Sequence, residues 1–337
     1  MSLILTQPIT GPSAWKAADA AQRQDEWLRP LSAEAIAALD AALAGLEARG
    51  LRFPHFTKED FPLDALAPEL ARWSEDLENG LGFVVARGIP VERYTEAQID
   101  AICYGIGLHL GRPVRQNPKG DLLGKVQAVG DIGDKNTRVY ETNLYLPYHT
   151  DPSDVVGLLC VRKAKEGGLS SLVSVASIYN EILAKYPEYL GLYYKRWYMA
   201  HLCQPTPALT ALFSYHQGKL SCRYLRQYVE LGHEIMELPL SQVEIRALDI
   251  LDEVIANPVH RIDMMLEPGD LQLANNNVVL HSRTGFVDHD DVVKDGRKLL
   301  RLWLQMPNAR EHGDDFPGRN GFPETPEMMA ALAAAEG

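Results

Sequence analysis

The chain has few cysteines, and none of them forms a metal-binding or redox pattern. Its 337 residues include Cys103, Cys160, Cys203 and Cys222, without a CxxC pair, so a zinc finger or a dithiol motif is excluded. Such isolated cysteines are typical of small buried side chains in a reducing compartment. No run approaches the roughly 20 apolar residues that span a bilayer, and the first ten residues lack the features of a signal peptide. We therefore expect a soluble, cytoplasmic protein.

Basic residues are also outnumbered, because 33 Lys and Arg stand against 45 Asp and Glu, giving a formal net charge of -12. An acidic surface repels nucleic-acid phosphates and anionic lipids, so we expect neither a nucleic-acid nor a membrane partner. No GxSxG motif is present, which disfavours a serine hydrolase. The expected partner is a small-molecule substrate, and a homo-oligomer is a further prediction.

Helical patterns begin near residues 32 and 95 and occur again later in the chain. Ser32 to Gly45 has a capping serine, apolar residues at helical spacing and a terminal glycine, which predicts a helix ending there. Thr95 to Gln98 is a capping box that opens another helix. That helix contains Gly105-x-Gly107-x-x-x-Gly111, which follows no strand and has the wrong third spacing for a dinucleotide loop. Further helices are predicted at about 178–185 and from the capping box at Ser241 to Asn257-Pro258.

Strand-like segments dominate after residue 80. We predict strands over 82–88, 125–129, 155–161, 170–175, 219–224, 260–266, 270–281 and 299–306, with a hairpin turn at Gln217-Gly218. Strands this numerous, without a helix between each pair, favour an antiparallel barrel or sandwich over a parallel sheet. The predicted fold class is mainly β with flanking helices.

These patterns also predict a division of the chain. Residues 1–78 are expected to form an N-terminal helical extension packed on the core. Residues 79–310 are expected to form the core domain, with a helical insertion at about 178–257. Residues 311–337 are expected to form a C-terminal tail or helix.

A candidate metal centre comes from His149-x-Asp151 together with His281. The spacing of the first pair is weak evidence alone, because His289-Asp290-Asp291 repeats it inside an acidic loop of turn composition. His149, however, lies between an apolar run and a predicted strand, and His281 ends another strand-like segment. Two histidines and one carboxylate are the ligands of non-haem Fe(II) oxygenases, which leave three positions for co-substrate and dioxygen.

Arg297 and Arg301 follow this centre and open the last predicted strand. An arginine directed inward binds a carboxylate in a bidentate manner. Residues four apart on a strand point to the same face, so both are candidates for the same cavity. Ion pairing at the surface is the alternative for each. A zinc hydrolase or a non-catalytic metal-binding barrel would also suit two histidines and a carboxylate, but neither requires Arg297.

The order His149-x-Asp151, His281 and Arg297 resembles the taurine dioxygenase (TauD/TfdA-like) family of Fe(II)- and 2-oxoglutarate-dependent dioxygenases. The segments Gly82 to Gly88, Gly111 to Val114, Gly167 to Ser170 and Pro268 to Leu271 resemble it as well. The resemblance covers roughly residues 80–308. It implies a double-stranded β-helix (jelly-roll) core that holds Fe(II) through His149, Asp151 and His281, with 2-oxoglutarate and O2 as co-substrates.

The resemblance also implies roles for individual cofactor-binding and substrate residues. Arg297 is expected to pair with the far carboxylate of 2-oxoglutarate, assisted by a hydroxyl at Ser170, next to which Ser171 offers a second. Arg301 corresponds to an arginine that contacts the co-substrate or an anionic substrate, and Asn143 lies on the substrate side. Tyr145 and Arg223 are further candidates for substrate contact. The implied activity is hydroxylation of an unactivated C–H bond of a small anionic or amino-acid-like substrate, with release of succinate and CO2.

Overall fold

The computed structural model describes residues 3–117, 119–130, 141–200 and 206–317. In chain order its α-helices are α1 (Ala17–Gln22), α2 (Gln24–Trp27), α3 (Ala33–Ala48), α4 (Ala67–Asn79), α5 (Glu96–Leu110), α6 (Val175–Lys185), α7 (Leu190–Tyr194), α8 (Arg226–Ile235) and α9 (Gln242–Ala256). Its strands are β1 (Leu28–Pro30), β2 (Phe83–Arg87), β3 (Arg112–Pro113), β4 (Leu123–Val126), β5 (Leu146–His149), β6 (Val155–Arg162), β7 (Glu166–Gly167), β8 (Ser170–Ser174), β9 (Arg196–Met199), β10 (Ala208–Ala211), β11 (Phe213–His216), β12 (Lys219–Cys222), β13 (Arg261–Met264), β14 (Leu271–Asn275), β15 (Val279–Arg283), β16 (Phe286–Val287) and β17 (Lys298–Gln305). Cys203 and residues 318–337 of the predicted C-terminal tail lie outside the described residues.

Two sheets form the core of the protein. The larger has the order β1-β2-β14-β6-β17-β3, with β4 also pairing with β17, and the smaller has the order β13-β8-β15-β5. Apart from the parallel β1–β2 pair, their ladders are antiparallel. Apolar side chains of both sheets, among them Val85, Val156, Leu172 and Val279, share one buried cluster. The predicted double-stranded β-helix, mainly β with flanking helices, is therefore confirmed.

Helices cover the outer faces of the two sheets. Side chains of α3, α4 and α5 form one buried cluster with the outer face of the larger sheet, and those of α6 and α9 form another with the smaller sheet. In α5, a Cβ at Gly107 would lie 2.3 Å from the Leu302 side chain, so this glycine permits close packing of the helix on β17. The glycines of α5 therefore serve packing, as expected from their poor match to a dinucleotide loop.

The predicted end of helix α3 was wrong. The helix passes through Gly45 and ends three residues later, at Ala48. Leu46, beyond the glycine, is 1% exposed, so continuing the helix buries another apolar side chain. The turn that follows uses Gly50, whose φ of +68° lies in the left-handed region that glycine adopts without strain. The capping boxes at Thr95 and Ser241 and the hairpin turn at Gln217-Gly218 are confirmed.

The predicted strand over 270–281 is in fact two strands in different sheets. β14 ends at Asn275, and the chain turns before β15 begins at Val279. The backbone N–H of Val278 donates to the Asn275 carbonyl at 3.0 Å, and that of Asn277 donates to the Asn275 side chain at 2.9 Å. Because asparagine side chains readily replace backbone partners in turns, this run of asparagines crosses from one sheet to the other. The crossing places His281 on the smaller sheet.

No helix within the described ranges combines the length and apolar character that crossing a membrane requires.

Candidate metal centre and co-substrate cavity

The smaller sheet brings the two predicted histidine ligands together. His149 at the end of β5 pairs directly with His281 in β15, and their ring centroids are 4.1 Å apart. Asp151 follows two residues after His149, with its Oδ2 3.5 Å from His281 Nε2 and its Oδ1 4.0 Å from His149 Nε2. One ligand atom from each of the three buried residues lies within 4.8 Å of the others.

The imidazole of His149 is oriented and kept neutral by its surroundings. Its Nδ1 lies 2.8 Å from the Pro147 carbonyl, which acts as an acceptor and therefore fixes the proton on Nδ1. Burial, followed by the neighbouring His281, lowers the pKa of His149 to about 3. A neutral ring with a free Nε2 lone pair is the form that binds a metal. The Nδ1 of His281 is buried with no hydrogen-bond partner among the described residues.

Asp151 is fixed by groups that the sequence did not point to. The indole Nε1 of Trp303 donates to Asp151 Oδ2 at 3.0 Å, and the Asp151 backbone N–H donates to Asn276 Oδ1 at 2.8 Å. Burial would raise the pKa of Asp151, but the charge of Arg301 and the contact with His281 outweigh it and lower that pKa. Trp303 lies two residues after Arg301 on the same strand face, which is the signal that could have identified it.

Arg223 lies behind the metal-binding turn. Its Nη1 donates to the Thr150 carbonyl at 2.9 Å, and the Thr150 backbone N–H donates to the Tyr224 carbonyl at 3.0 Å. These hydrogen bonds link Thr150, between the candidate ligands His149 and Asp151, to the residues that follow β12. Arg223 does not line the cavity beside the metal centre, and its predicted contact with substrate remains a prediction.

A cavity adjoins the three candidate ligands. Its other lining residues are Val126, Leu146, Leu158, Ser170, Leu266, Ser282, Arg283, Arg297, Leu299 and Arg301. The two arginines expected from the sequence therefore face the same space as the metal-binding side chains. Asp151 is the acidic residue among the lining side chains, so the cavity carries an excess of positive charge.

The Arg297 side chain is buried from solvent and lines the cavity. The side chain has 6% residual exposure, and burial lowers its pKa to about 10. Its guanidinium lies 5.3 Å from the centroid of the Phe286 ring, and no carboxylate in the described part of the chain forms an ion pair with it. Gly168 makes room for it, because a Cβ there would lie 3.1 Å from Arg297 Nε. A buried cation of this kind favours an anionic ligand.

Arg301 is held more tightly than Arg297. Its Nε donates to Gln116 Oε1 at 2.8 Å, while Gln116 Nε2 donates to the Arg301 carbonyl at 2.7 Å. The guanidinium lies 4.7 Å from the Trp303 ring centroid and 4.0 Å from Asp151 Oδ1. Gln116, which was not predicted, therefore directs Arg301 toward the metal-binding carboxylate.

The two adjacent serines point in different directions. Ser170 lines the cavity, and its hydroxyl donates to Gln272 Oε1 at 2.5 Å. Ser171 donates to Asp263 Oδ1 at 2.5 Å and is contacted by the Tyr148 hydroxyl. Ser170 is thus the hydroxyl that faces the candidate co-substrate cavity.

Arg283 is a cavity residue that sequence reasoning missed. It is 5% exposed, and burial together with the charge of Arg297 lowers its pKa to about 10. Its Nη2 donates to the carbonyls of Thr142 and Leu144 at 3.0 and 2.5 Å. Arg283 lies two residues after His281, so the alternation of the strand places both on one face.

The predicted substrate residues Asn143 and Tyr145 lie on the segment before β5. The Asn143 carbonyl accepts a hydrogen bond from the Phe286 backbone N–H at 3.1 Å, and the Tyr145 side chain is 53% exposed. Neither is among the residues that line the cavity. Their contact with substrate remains a prediction.

The donor set fits a divalent first-row metal. Two imidazoles and a carboxylate bind such ions at about 2.0–2.2 Å, and the three ligand atoms, within 4.8 Å of one another, lie close to the spacing that such bonds require. These three residues would hold such a metal, and their arrangement beside the cavity suits the two-histidine, one-carboxylate facial triad of Fe(II) oxygenases.

Comparison with known proteins identifies the family to which the chain belongs. Residues 47–303 match the family described as taurine catabolism dioxygenase TauD, TfdA family. The chain is 35% identical over 317 residues to FR-33289 synthase of Streptomyces rubellomurinus, covering 91% of this chain and 93% of that protein. It is 28% identical over 306 residues to the taurine hydroxylase-like protein SAT17 of Stachybotrys chartarum, covering 84% and 76%.

Solved structures share the fold at low sequence identity. An asparagine oxygenase in complex with Fe(II), 2S,3S-3-hydroxyasparagine and succinate has a TM-score of 0.65 and 19% identity, covering 83% of this chain and 93% of that chain. The non-haem iron oxygenase OrfP in complex with Fe and alpha-ketoglutaric acid has a TM-score of 0.62 and 14% identity, covering 82% and 93%.

The fold and the site together define a double-stranded β-helix protein with a buried two-histidine, one-carboxylate centre. Given the match over most of its length, the chain belongs to the TauD/TfdA family of dioxygenases. The family resemblance read from the sequence is confirmed.

Proposed function

We propose that the protein is a non-haem Fe(II)- and 2-oxoglutarate-dependent dioxygenase that hydroxylates an unactivated C–H bond of a small anionic or amino-acid-like substrate. In such a reaction one oxygen atom of O2 enters the product and the other enters succinate, while 2-oxoglutarate loses CO2. The observation that carries the proposal is the buried grouping of His149, Asp151 and His281 beside a cavity lined by Arg297.

The three ligands would hold Fe(II) and leave its open positions toward the cavity. The neutral His149 and the ionised Asp151 favour metal binding without prior loss of a proton at neutral pH. The Trp303 indole fixes the Asp151 carboxylate and the Asn276 side chain fixes the Asp151 backbone before metal arrives, which reduces the ordering that binding requires. Bound iron would supply the binding site for the keto acid and for dioxygen.

Arg297 would bind the far carboxylate of 2-oxoglutarate. Its charge is buried beside the cavity, and a carboxylate there would relieve the cost of burying the cation. The Ser170 hydroxyl faces the same cavity and would donate a second hydrogen bond. The hydroxyl can rotate from Gln272 to the ligand without a change of backbone.

The positive charge of the cavity supports an anionic substrate. Arg301 is held 4.0 Å from the metal-binding carboxylate, and 2-oxoglutarate at Arg297 would leave Arg301 near the remaining open side of the metal. An amino acid or other small carboxylate would pair with that guanidinium. Asn143 and Tyr145, on the segment that leads into β5, do not line the cavity and would contact the substrate from its outer side.

The proposal is tested by substrate-dependent succinate release. Protein purified without oxygen would be loaded with Fe(II) and supplied with 2-oxoglutarate, O2 and a panel of amino acids and small carboxylates. We expect iron-dependent succinate formation that rises with one class of substrate. Tight zinc binding together with a hydrolytic activity, and no succinate with iron, would replace the oxygenase by a zinc enzyme.

We also propose a cytoplasmic location and the domain division given above. The buried thiols of Cys103, Cys160 and Cys222, which form no disulfide, support a reducing compartment. Packing of α3 and α4 on the larger sheet supports an N-terminal extension over residues 1–78. Exposed apolar side chains at Leu231 and Ile235 support a homo-oligomer, which light scattering after size exclusion would measure.

A further inference from the structure

Arg283 connects the smaller sheet to the segment that leads into the metal-binding strand. Its Nη2 donates to two backbone carbonyls of that segment, those of Thr142 and Leu144. The Thr142 hydroxyl also accepts from the Leu144 backbone N–H at 3.3 Å. One guanidinium therefore holds a short stretch, residues 142–146, that carries Asn143 and Tyr145 and continues directly into β5.

The same guanidinium and that of Arg297 lie beside one aromatic ring. The Phe286 ring centroid lies 4.8 Å from the Arg283 guanidinium carbon and 5.3 Å from that of Arg297. The two buried cations are therefore neighbours and repel each other across a region of low polarity. The Phe286 backbone N–H donates to the Asn143 carbonyl at 3.1 Å, so this ring is tied to the same segment.

An anion bound at Arg297 should strengthen the hydrogen bonds that Arg283 donates to Thr142 and Leu144. With the Arg297 site empty, like-charge repulsion opposes the position in which Arg283 donates to Thr142 and Leu144. A carboxylate at Arg297 offsets that repulsion, so the hydrogen bonds of Arg283 become more favourable. The segment 142–146 then becomes more ordered when the co-substrate is present.

We propose that Arg283 is a positioning residue that couples co-substrate binding at Arg297 to the order of residues 142–146 on the substrate side of the metal centre. Arg283 acts through backbone carbonyls. The inference rests on the proposed binding of 2-oxoglutarate at Arg297.

The test is amide hydrogen exchange of residues 142–146 in Fe(II)-loaded protein without oxygen, with and without 2-oxoglutarate. In the unaltered protein we expect 2-oxoglutarate to slow exchange in this segment by roughly 5-fold, the low end of coupling between linked sites. Arg283→Gln should speed exchange without ligand, remove the ligand-dependent slowing and weaken 2-oxoglutarate binding by a similar factor, because coupling is reciprocal.

Two further variants separate coupling from a merely structural role. Arg283→Lys keeps a cation that can donate to the carbonyls, so it should restore part of the ligand-free protection. Arg283→Lys should also keep most of the ligand-dependent slowing, because the repulsion from Arg297 acts on any cation at this position. Phe286→Leu leaves both cations and the hydrogen bonds of Arg283 in place, so it should keep the ligand-free protection and the ligand-dependent slowing; loss of both would assign the order of residues 142–146 to packing of the ring. These two variants carry the test if Arg283→Gln fails to fold. Arg246→Gln, an exposed arginine on α9, is the matched control and should behave as the unaltered protein.

The outcomes distinguish this inference from the function on which it rests. If the unaltered protein binds no 2-oxoglutarate, the proposed function and the coupling both fail. If it binds 2-oxoglutarate and Arg283→Gln retains its full effect on residues 142–146, the coupling fails and the proposed function stands. The coupling also fails if Arg283→Lys keeps the ligand-free protection but shows no ligand-dependent slowing.

Discussion

Replacing Arg297 should change binding and stability in opposite directions. Arg297→Met keeps an unbranched side chain of similar length but removes the buried cation. Binding of the far carboxylate of 2-oxoglutarate would then lack its partner, and losing one member of a buried charge pair costs about 2–5 kcal/mol. That loss corresponds to a roughly 30- to 5,000-fold weaker dissociation constant.

The ligand-free protein should become more stable in the same variant. Burial lowers the Arg297 pKa from 12.5 to about 10, which corresponds to roughly 3 kcal/mol of unfavourable desolvation of the cation. The group is charged at neutral pH in both folded and unfolded states, so this cost is fully present there. We expect Arg297→Met to raise the free energy of unfolding by about 1–3 kcal/mol, because a well-packed apolar side chain replaces a buried cation whose desolvation outweighs the attraction of the nearby Asp288.

Calorimetric titration of the Fe(II)-loaded protein without oxygen measures the first effect, and urea denaturation of the ligand-free protein measures the second. Arg246→Met on the exposed face of α9 should change neither beyond error. Unchanged 2-oxoglutarate affinity in Arg297→Met would show that Arg301 or another cation binds the far carboxylate. A large loss of stability would show that other groups already compensate the Arg297 charge in the ligand-free protein, and would contradict this prediction.

Two other variants test the metal site and the residues that hold it, and a third tests the pH dependence of stability. Asp151→Ala should abolish iron-dependent 2-oxoglutarate turnover while the far-ultraviolet circular dichroism stays unchanged, and retained succinate production would remove Asp151 from the metal site. Trp303→Phe loses the hydrogen bond to Asp151 and should weaken Fe(II) binding by roughly 10- to 100-fold; unaltered metal affinity would contradict that support. The third variant concerns His312, whose pKa is lowered to about 4 by burial and by the charge of Arg310. As pH falls below about 6.5, His312 is therefore protonated in the unfolded chain but not yet in the folded protein. The free energy of unfolding should therefore fall by up to about 1.4 kcal/mol per pH unit in that window, and His312→Asn should reduce this slope in urea denaturation curves measured between pH 6.5 and 4.5. An unchanged slope would contradict the assignment to His312.

The metal centre was predictable because its chemistry restricts both residue types and context. The strand patterns predicted that His149 lies at a strand edge and that His281 ends a strand, whereas the direct pairing of the two residues in one sheet is seen only in the structure. The fold class followed from the number of strand-like segments and the few helices between them. Arg297 and Arg301 were candidates because residues four apart on a strand point to one face, and because an arginine directed inward binds a carboxylate in a bidentate manner.

Other features depend on tertiary contacts that a single segment does not reveal. The turn at Asn276 connects the two sheets, and the Asn276 side-chain oxygen accepts a hydrogen bond from the Asp151 backbone N–H. The residues on either side of the turn are nevertheless apolar enough to appear as one strand. Helix α3 passes through Gly45 because Leu46 is buried by distant parts of the chain. Arg283 escaped notice because its partners are backbone carbonyls, for which no residue type is required.

The most direct test of the central claim is anaerobic titration of the metal-free protein with Fe(II) and then with 2-oxoglutarate, followed by visible absorption. We expect a weak charge-transfer band that appears only when both are present, because the keto acid would bind through two oxygens to a metal that His149, Asp151 and His281 would hold. A folded protein that develops no such band would contradict the claim and favour a different metal or a non-catalytic barrel.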